Sequence, residues 1–144
     1  MKRVFVVCTL LLLAACENAI LNSIAVSDEP FWLNLGESKV LPPDNIQIGF
    51  RQVLSDSRCP LDASVVCVWP GRAEIRLWLR KQQSDSTFVN LSIAGYITQA
   101  DTCCHLSTDT LGYRITLLQL DFISRAHSYS LADYKALLKA AKVR

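Results

Sequence analysis

The clearest pattern along the chain is a strict alternation of apolar and polar positions between Ala73 and Arg80. Because successive side chains of a strand point to opposite faces, this alternation predicts a strand with one buried face. Pro70 and Gly71 come directly before it and indicate a turn. Shorter alternating runs predict further strands at residues 31–35, 39–41, 46–54 and 87–93. We therefore expect a mainly β fold with antiparallel strands.

A second strong run, from Tyr113 to Phe122, changes phase in its middle. Its apolar residues occupy alternate positions up to Leu117 and continue on the other set of positions from Leu118. A β-bulge adds one residue to a strand and would return both halves to the same face. We therefore predict a strand with a bulge near Leu117. The polar stretch before it, residues 100–112, is predicted to be irregular.

The last segment of the chain fits two structures. One face of a helix would carry five apolar residues, namely Leu131, Tyr134, Leu137, Leu138 and Ala141. One face of a strand would carry Tyr134, Ala136, Leu138 and Ala140. The periodicity therefore leaves a strand and a short helix open, and the composition of the segment favours the helix.

The N-terminus has the layout of an export signal. Lys2 and Arg3 precede an apolar run from Val4 to Leu13. This run is shorter than the roughly 20 residues that a membrane-spanning helix needs. It ends in Leu13-Ala14-Ala15-Cys16, which resembles a bacterial lipobox, whereas an ordinary cleavage site fits less well because Leu13 is bulky. We expect residues 1–15 to be a lipoprotein signal peptide and Cys16 to be lipidated.

Lipidation at Cys16 would anchor the mature chain, since two or more acyl chains hold a protein stably on a membrane. Residues 16–30 would be the lipid anchor and tether, with an edge strand near residues 24–26 as the alternative, and residues 31–144 the β domain. Asp after the lipidated cysteine directs enterobacterial lipoproteins to the inner membrane, so Glu17 favours the outer membrane, facing the periplasm. Without the signal peptide, basic side chains equal the 13 acidic ones, which argues against nucleic acid as a partner.

Four cysteines remain after export and lipidation, namely Cys59, Cys67, Cys103 and Cys104. The cell envelope favours disulfides, and four cysteines allow three connectivities. A bond between the adjacent Cys103 and Cys104 requires a strained eight-membered ring. The crossed pairings require neighbouring side chains to reach different partners, and in a strand these side chains point to opposite faces. The residues alone leave the pairing open.

Cys103, Cys104 and His105 are the sharpest candidates for chemistry, because thiolates and imidazole suit soft metals such as Cu(I) or Zn. Structural zinc sites use four ligands with wider cysteine spacing. We therefore expect no metal site and no cofactor, and keep a metal or redox protein as an alternative.

Catalytic groups are not evident elsewhere. His127 is the one other histidine, and neither histidine accompanies a G-x-S-x-G motif. Asp56, Asp62 and Glu74 are explained as turn residues and an outward strand charge, with Asp56 placed to accept backbone hydrogen bonds. We therefore predict no catalytic residue and no enzyme activity.

Two segments point to a group of proteins. Asp56-Ser-Arg-Cys-Pro60 and Cys67-Val-Trp-Pro-Gly-Arg-Ala73 together resemble a DSRCP…CVWAG pattern of small exported bacterial proteins and lipoproteins of unknown function. The later runs Tyr113–Leu120 and Ser130–Tyr134 look like strands of the same proteins. The resemblance implies a β-sandwich whose last segment is a strand, and a Cys59–Cys67 disulfide. It implies no activity.

The tryptophans indicate where contacts form. We expect Trp69 to cover the disulfide and the core, and Arg76, Trp78 and Arg80 to form an interaction surface on the polar face of their strand. The prediction is a lipid-anchored envelope protein that acts as a binding module and contacts another envelope protein or a small ligand through its loops or this surface. The alternative is a protease inhibitor that presents Pro60, Leu61 and Asp62 in the Cys59–Cys67 loop.

Overall fold

Eight strands form two four-stranded antiparallel sheets that pack face to face. This computed structural model describes residues 28–59, 66–82, 86–101, 103–122 and 134–143. The first sheet has the order β1-β8-β7-β6 and the second the order β2-β3-β4-β5. The strands are β1 Phe31–Asn34, β2 Ser38–Leu41, β3 Ile46–Asp56, β4 Arg72–Lys81, β5 Thr87–Ala94, β6 Ser107–Thr110, β7 Tyr113–Phe122 and β8 Tyr134–Lys142. The predicted sandwich-like fold is confirmed.

The core lies between the sheets and is built from alternate residues of each long strand. In β4, Ala73, Ile75, Leu77 and Leu79 are fully buried, as their alternation predicts. Ile46, Ile48 and Phe50 of β3 pack into the same cluster. The outward residues of β4 are polar or charged, with the exception of Trp78, so burial of one face fixes the register of this strand.

The predicted bulge in β7 is confirmed. Leu117 pairs with Leu138 and Gln119 pairs with Leu137, so Leu118 is the extra residue. Leu117 and Leu120 both enter the core cluster. The prediction that both halves would reach the core entirely was too simple. Leu118 is buried outside that cluster, and Phe122 is half-buried against the edge of the Tyr134 ring.

The C-terminal segment is a strand, which resolves the choice between strand and helix. β8 lies inside the first sheet and pairs with β1 on one side and β7 on the other. Ala136, Leu138 and Ala140 face the core. Two ladders of backbone hydrogen bonds and burial of this face outweigh the helix propensity of the segment. Leu131 lies outside the described residues.

One predicted irregular stretch contains a strand. Ser107–Thr110 is β6, which forms a hairpin with β7 through Leu111 and Gly112. Both turn residues have positive φ, 49° and 81°, the conformation that matches the twist of a two-residue hairpin. Four polar residues at a sheet edge give no apolar alternation, which is why the pattern did not reveal this strand.

The signal peptide, Cys16 and most of the tether lie outside the described residues, which begin at Asp28. Within the described ranges, we find no helix whose length and hydropathy would suit a membrane crossing.

Candidate functional site

The β3–β4 hairpin continues past the ends of its two strands, and its continuation carries the cysteine–tryptophan motif. We call residues 57–59 and 66–71 the hairpin extension. The Ser57 amide donates to the Arg72 carbonyl at 2.9 Å, and the Cys59 amide donates to the Pro70 carbonyl at 3.4 Å. Cys59 and Cys67 form a disulfide across the two arms, with Cα atoms 6.0 Å apart. The pairing that the resemblance implied is therefore present.

Gly71 is required where the arms approach each other. Its φ is +73°, and a Cβ atom there would overlap the Ser57 carbonyl oxygen. Only glycine adopts this conformation without strain and leaves the space free. Gly71 therefore sets how closely the two arms of the extension pack. The structure assigns no turn to Pro70 and Gly71, where the sequence predicted one.

The base of the extension is fixed by Arg58, a residue that the sequence did not single out. Arg58 is 7% exposed, and no other charged residue in the described part of the chain is buried. Its Nε and Nη2 atoms donate to the two carboxylate oxygens of Asp56, at 2.9 Å and 2.6 Å. Its Nη1 atom donates to the Leu120 carbonyl at 2.6 Å, and its guanidinium lies over the Tyr96 ring at 4.7 Å.

Asp56 is the acceptor at the centre of this cluster. It accepts the Arg58 backbone amide at 3.0 Å, as predicted for a turn residue, and the Tyr134 hydroxyl at 3.1 Å. Burial alone would raise the pKa of Asp56, but the hydrogen bonds and charge of Arg58 outweigh it and the pKa is lowered. Burial and then the Asp56 charge raise the pKa of Tyr134 to about 12.

The cluster is a structural joint. Asp56 ends β3 in one sheet, while Leu120 and Tyr134 belong to β7 and β8 in the other. Every buried side-chain nitrogen and oxygen of the described residues has a hydrogen-bond partner. A charge in such a setting is tolerated because it is paired and hydrogen-bonded. The joint therefore holds the hairpin extension against both sheets.

The outer part of the extension exposes an apolar tip. Val66, Val68 and Trp69 are 90%, 86% and 80% exposed. The expectation that Trp69 covers the core is therefore wrong. Arg58, stacked on Tyr96, occupies this end of the sandwich instead, and Trp69 lies on the returning arm beyond the sheet. Pro60, Leu61 and Asp62 of the predicted inhibitory loop lie outside the described residues.

The predicted surface of Arg76, Trp78 and Arg80 exists as a row on the outer face of β4. Trp78 pairs with Gly49 of β3, and a Cβ atom at Gly49 would overlap the indole. The indole therefore packs on the backbone of the neighbouring strand and is half-buried. On its other side, the adjacent strand presents Phe88, which is 58% exposed.

Both arginines of that row are tied to neighbouring strands. Arg80 donates to Gln47 at 2.8 Å, and Arg76 donates to Asn90 at 3.1 Å. Asn90 in turn donates to Glu74 at 3.2 Å. These bonds cross-link the outer face of the sheet, so the polar groups of both arginines are engaged by neighbouring strands.

Cys103 and Cys104 are exposed and are not part of a disulfide. Their sulfur atoms lie 2.8 Å apart. The Nε2 atom of His105 lies 3.0 Å from the Thr98 carbonyl oxygen. No group of three or more potential metal ligands occurs within the ranges that the structure describes. Beside this loop, an open depression of about 470 Å³ is lined by Thr98, Gln99, Ala100 and Gln119.

The carboxylates that were weighed for catalysis are not brought together. Asp56 is committed to Arg58, and Glu74 accepts a bond on the outer face. Asp62 and His127 lie outside the described residues. The signal that could have revealed the joint is the spacing of Asp56 and Arg58, since two residues apart on an extended segment share a face. No family model, curated protein or solved structure matches the chain.

Proposed function

We propose that the protein is a lipid-anchored protein of the bacterial cell envelope whose β domain is a non-catalytic interaction module. The anchor would be Cys16, at the end of the lipobox-like Leu13-Ala14-Ala15-Cys16. Glu17 favours the outer membrane, with the domain facing the periplasm. The observation that carries the interaction role is the apolar tip, three large hydrophobic side chains exposed on a disulfide-closed extension.

The construction of the extension supports this role. Hydrophobic residues that are exposed together on a soluble domain mark contact sites more often than single ones do. Tryptophan is enriched at the centres of protein interfaces because it covers a large area with few rotatable bonds. The disulfide and the Arg58 joint hold the base of the extension before any partner binds, which reduces the entropy lost on binding.

The direction of the chain supports a protein partner over the anchoring membrane. β1 runs from Phe31, opposite Leu138, to Asn34, opposite Lys135. The next residue of β8, Tyr134, reaches Asp56 at the base of the hairpin extension. The chain that leads to the anchor therefore departs from the other side, where Asp28 pairs with Lys139 at 3.3 Å. The apolar tip therefore extends from the Tyr134 end of β8, whereas Asp28 lies farther along this strand, beside Lys139.

Site-specific photo-crosslinking in cells tests the proposal. A photoreactive amino acid replaces Val68 on the apolar tip, or Phe88 beside Trp78, in the full-length chain. We expect one envelope protein to be captured from position 68 and not from position 88. Capture from position 88 alone would move the contact to the Arg76–Trp78–Arg80 face. Capture from neither position would contradict an interaction role for either surface.

A protease inhibitor is the second candidate, supported by the closed Cys59–Cys67 ring and its fixed base. Inhibitory loops bind tightly when they are held in shape before binding. Incubation of the chain with a panel of serine proteases tests this role. Slow cleavage between Cys59 and Cys67 with a stable complex supports it, and the lack of any complex across the panel rules it out.

A further inference from the structure

The second pair of cysteines has a geometry that adjacent residues rarely achieve. Cys103 and Cys104 are both exposed, and the Cys104 thiol contacts the Cys103 sulfur at 2.8 Å. Neighbouring residues in a strand point to opposite faces. Cys104 departs from that rule because its φ is +73°, in the left-handed region that non-glycine residues seldom occupy. This backbone turn places both thiols on the same side of the chain.

Hydrogen bonds on both sides hold the loop in this shape. Thr98 donates its backbone amide and its hydroxyl to Asp101, at 2.6 Å and 2.9 Å. The Asp101 amide donates back to the Thr98 carbonyl at 3.1 Å, which also lies 3.0 Å from His105 Nε2. Beyond the cysteines, Leu106 accepts a bond from Leu117 of β7 at 3.2 Å. The thiols therefore meet on a braced loop.

We propose that Cys103 and Cys104 are a reversible dithiol–disulfide couple, which closes on itself when it meets a small-molecule disulfide and reopens with a dithiol reductant. This couple does not depend on the interaction role of the apolar tip. It also differs from Cys59–Cys67, which links two separate arms of the hairpin, because closure here joins neighbours within one loop.

Closure proceeds through two thiol–disulfide exchanges. One thiolate attacks a sulfur of the reagent, whose S–S bond breaks and releases one small thiolate. The second protein thiolate then attacks the protein sulfur of this mixed disulfide, and a second small thiolate leaves. Two electrons pass from the protein dithiol to the reagent, and the two protons of the dithiol end on the two small thiolates, which leave as thiols. The hydrogen bond that the Cys104 thiol donates to the Cys103 sulfur raises the pKa of the Cys104 thiol.

Peptide mapping of the full-length chain in detergent tests the couple. The protein is equilibrated with a series of glutathione buffers that range from reduced to oxidised, and its free thiols are then alkylated. Mass spectrometry measures the mass of the peptide that contains both Cys103 and Cys104. In reduced buffer we expect two alkyl groups. In oxidised buffer we expect no alkyl groups on this peptide, and a peptide mass two hydrogens below that of the unmodified dithiol form. Return of both alkylation sites after dithiothreitol treatment shows that the couple is reversible.

Single-cysteine variants supply the matched control. In Cys103→Ser and Cys104→Ser the ring cannot form, so we expect glutathione to remain attached to the surviving cysteine. In the glutathione buffers, before dithiothreitol is added, the Cys59–Cys67 peptides should stay linked, which shows that the domain is intact. Two outcomes overturn the proposal. One is wild-type protein that holds two glutathiones in oxidised buffer, and the other is a link from Cys103 or Cys104 to Cys59 or Cys67.

Discussion

Arg58 and Leu120 join the two sheets, because the Arg58 Nη1 atom donates to the Leu120 carbonyl oxygen at 2.6 Å across 62 positions of sequence. The same guanidinium holds both carboxylate oxygens of Asp56. One side chain therefore connects the end of β3, the middle of the opposite sheet and the root of the hairpin extension. This connection gives a physical role to the Asp-Ser-Arg segment.

Loss of this connection should be costly. In Arg58→Met we expect the free energy of unfolding to fall by about 3–5 kcal/mol, because a partly buried carboxylate and a carbonyl lose their donor. Urea denaturation of the full-length chain measures the change. Arg114→Met is the matched control, since its ion pair with Asp109 is exposed on both sides and should contribute under about 1 kcal/mol. Equal losses of unfolding free energy in the two variants would contradict the stabilising role given to Arg58.

Alkaline pH should weaken the fold partly through Tyr134. Its pKa is raised by burial and by Asp56 from 10.0 to about 12, so the folded state favours the protonated hydroxyl. The stabilisation is complete below pH 10 and is lost as the pH rises from 10 to 12. Tyr134→Phe should therefore show a smaller loss of stability in this range.

Tyr113→Phe gives a second, independent test of the alkaline effect. Burial and a bond to Asp44 raise the pKa of Tyr113 as well, so Tyr113→Phe should remove another part of the alkaline loss. Chemical denaturation at a series of pH values measures both variants. An alkaline loss in Tyr134→Phe as large as that of the wild type would contradict the role given to the Tyr134–Asp56 bond.

Alanine substitutions at Gly71 and Gly36 distinguish the cost of backbone strain from the cost of steric overlap. Both have positive φ, but a Cβ atom at Gly71 would overlap the Ser57 carbonyl, whereas nothing lies within 4 Å of one at Gly36. We expect Gly36→Ala to cost about 1–2 kcal/mol of unfolding free energy from strain alone. Gly71→Ala should cost clearly more, because the arms of the extension must also move apart. Equal costs would show that the arms are not closely packed.

Substitution of Trp78 and substitution of Trp69 should have different effects on stability. Trp78 packs on Gly49, an arrangement in which an aromatic ring covers the backbone that glycine leaves bare. We expect Trp78→Ala to lower the free energy of unfolding by about 1–3 kcal/mol through lost burial. Trp69→Ala should change it by no more than about 0.5 kcal/mol, as for other exposed positions. A larger loss of unfolding free energy in Trp69→Ala than in Trp78→Ala would contradict the exposed position of Trp69.

Alternation of apolar residues sufficed to predict β3, β4 and β5, because each carries its core residues at alternate positions over most of its length. It also located the β7 bulge, since one added residue explains the change of phase at Leu117. It could not reveal β6, whose four polar residues lie at a sheet edge. It could not decide β8 either, because the pairing that fixes this strand comes from distant parts of the chain.

The site was harder to predict than the fold. The resemblance supplied the Cys59–Cys67 bond, but the position of Trp69 depends on Arg58 and Tyr96 filling the end of the sandwich. These residues lie far apart in sequence, so no local pattern reports their contact. The close approach of the Cys103 and Cys104 thiols likewise depends on the left-handed backbone conformation of Cys104. The alternation of side chains in a strand does not predict this conformation.

The central claim is that the apolar tip binds an envelope partner through Trp69. The most direct test measures photo-crosslinking yield from position 68 in cells, comparing Trp69→Ala with Phe88→Ala. An interface tryptophan contributes about 2 kcal/mol or more, which corresponds to a loss of roughly thirtyfold in affinity. We predict that Trp69→Ala abolishes capture while Phe88→Ala leaves it unchanged. Undiminished capture in a folded Trp69→Ala protein would contradict the account.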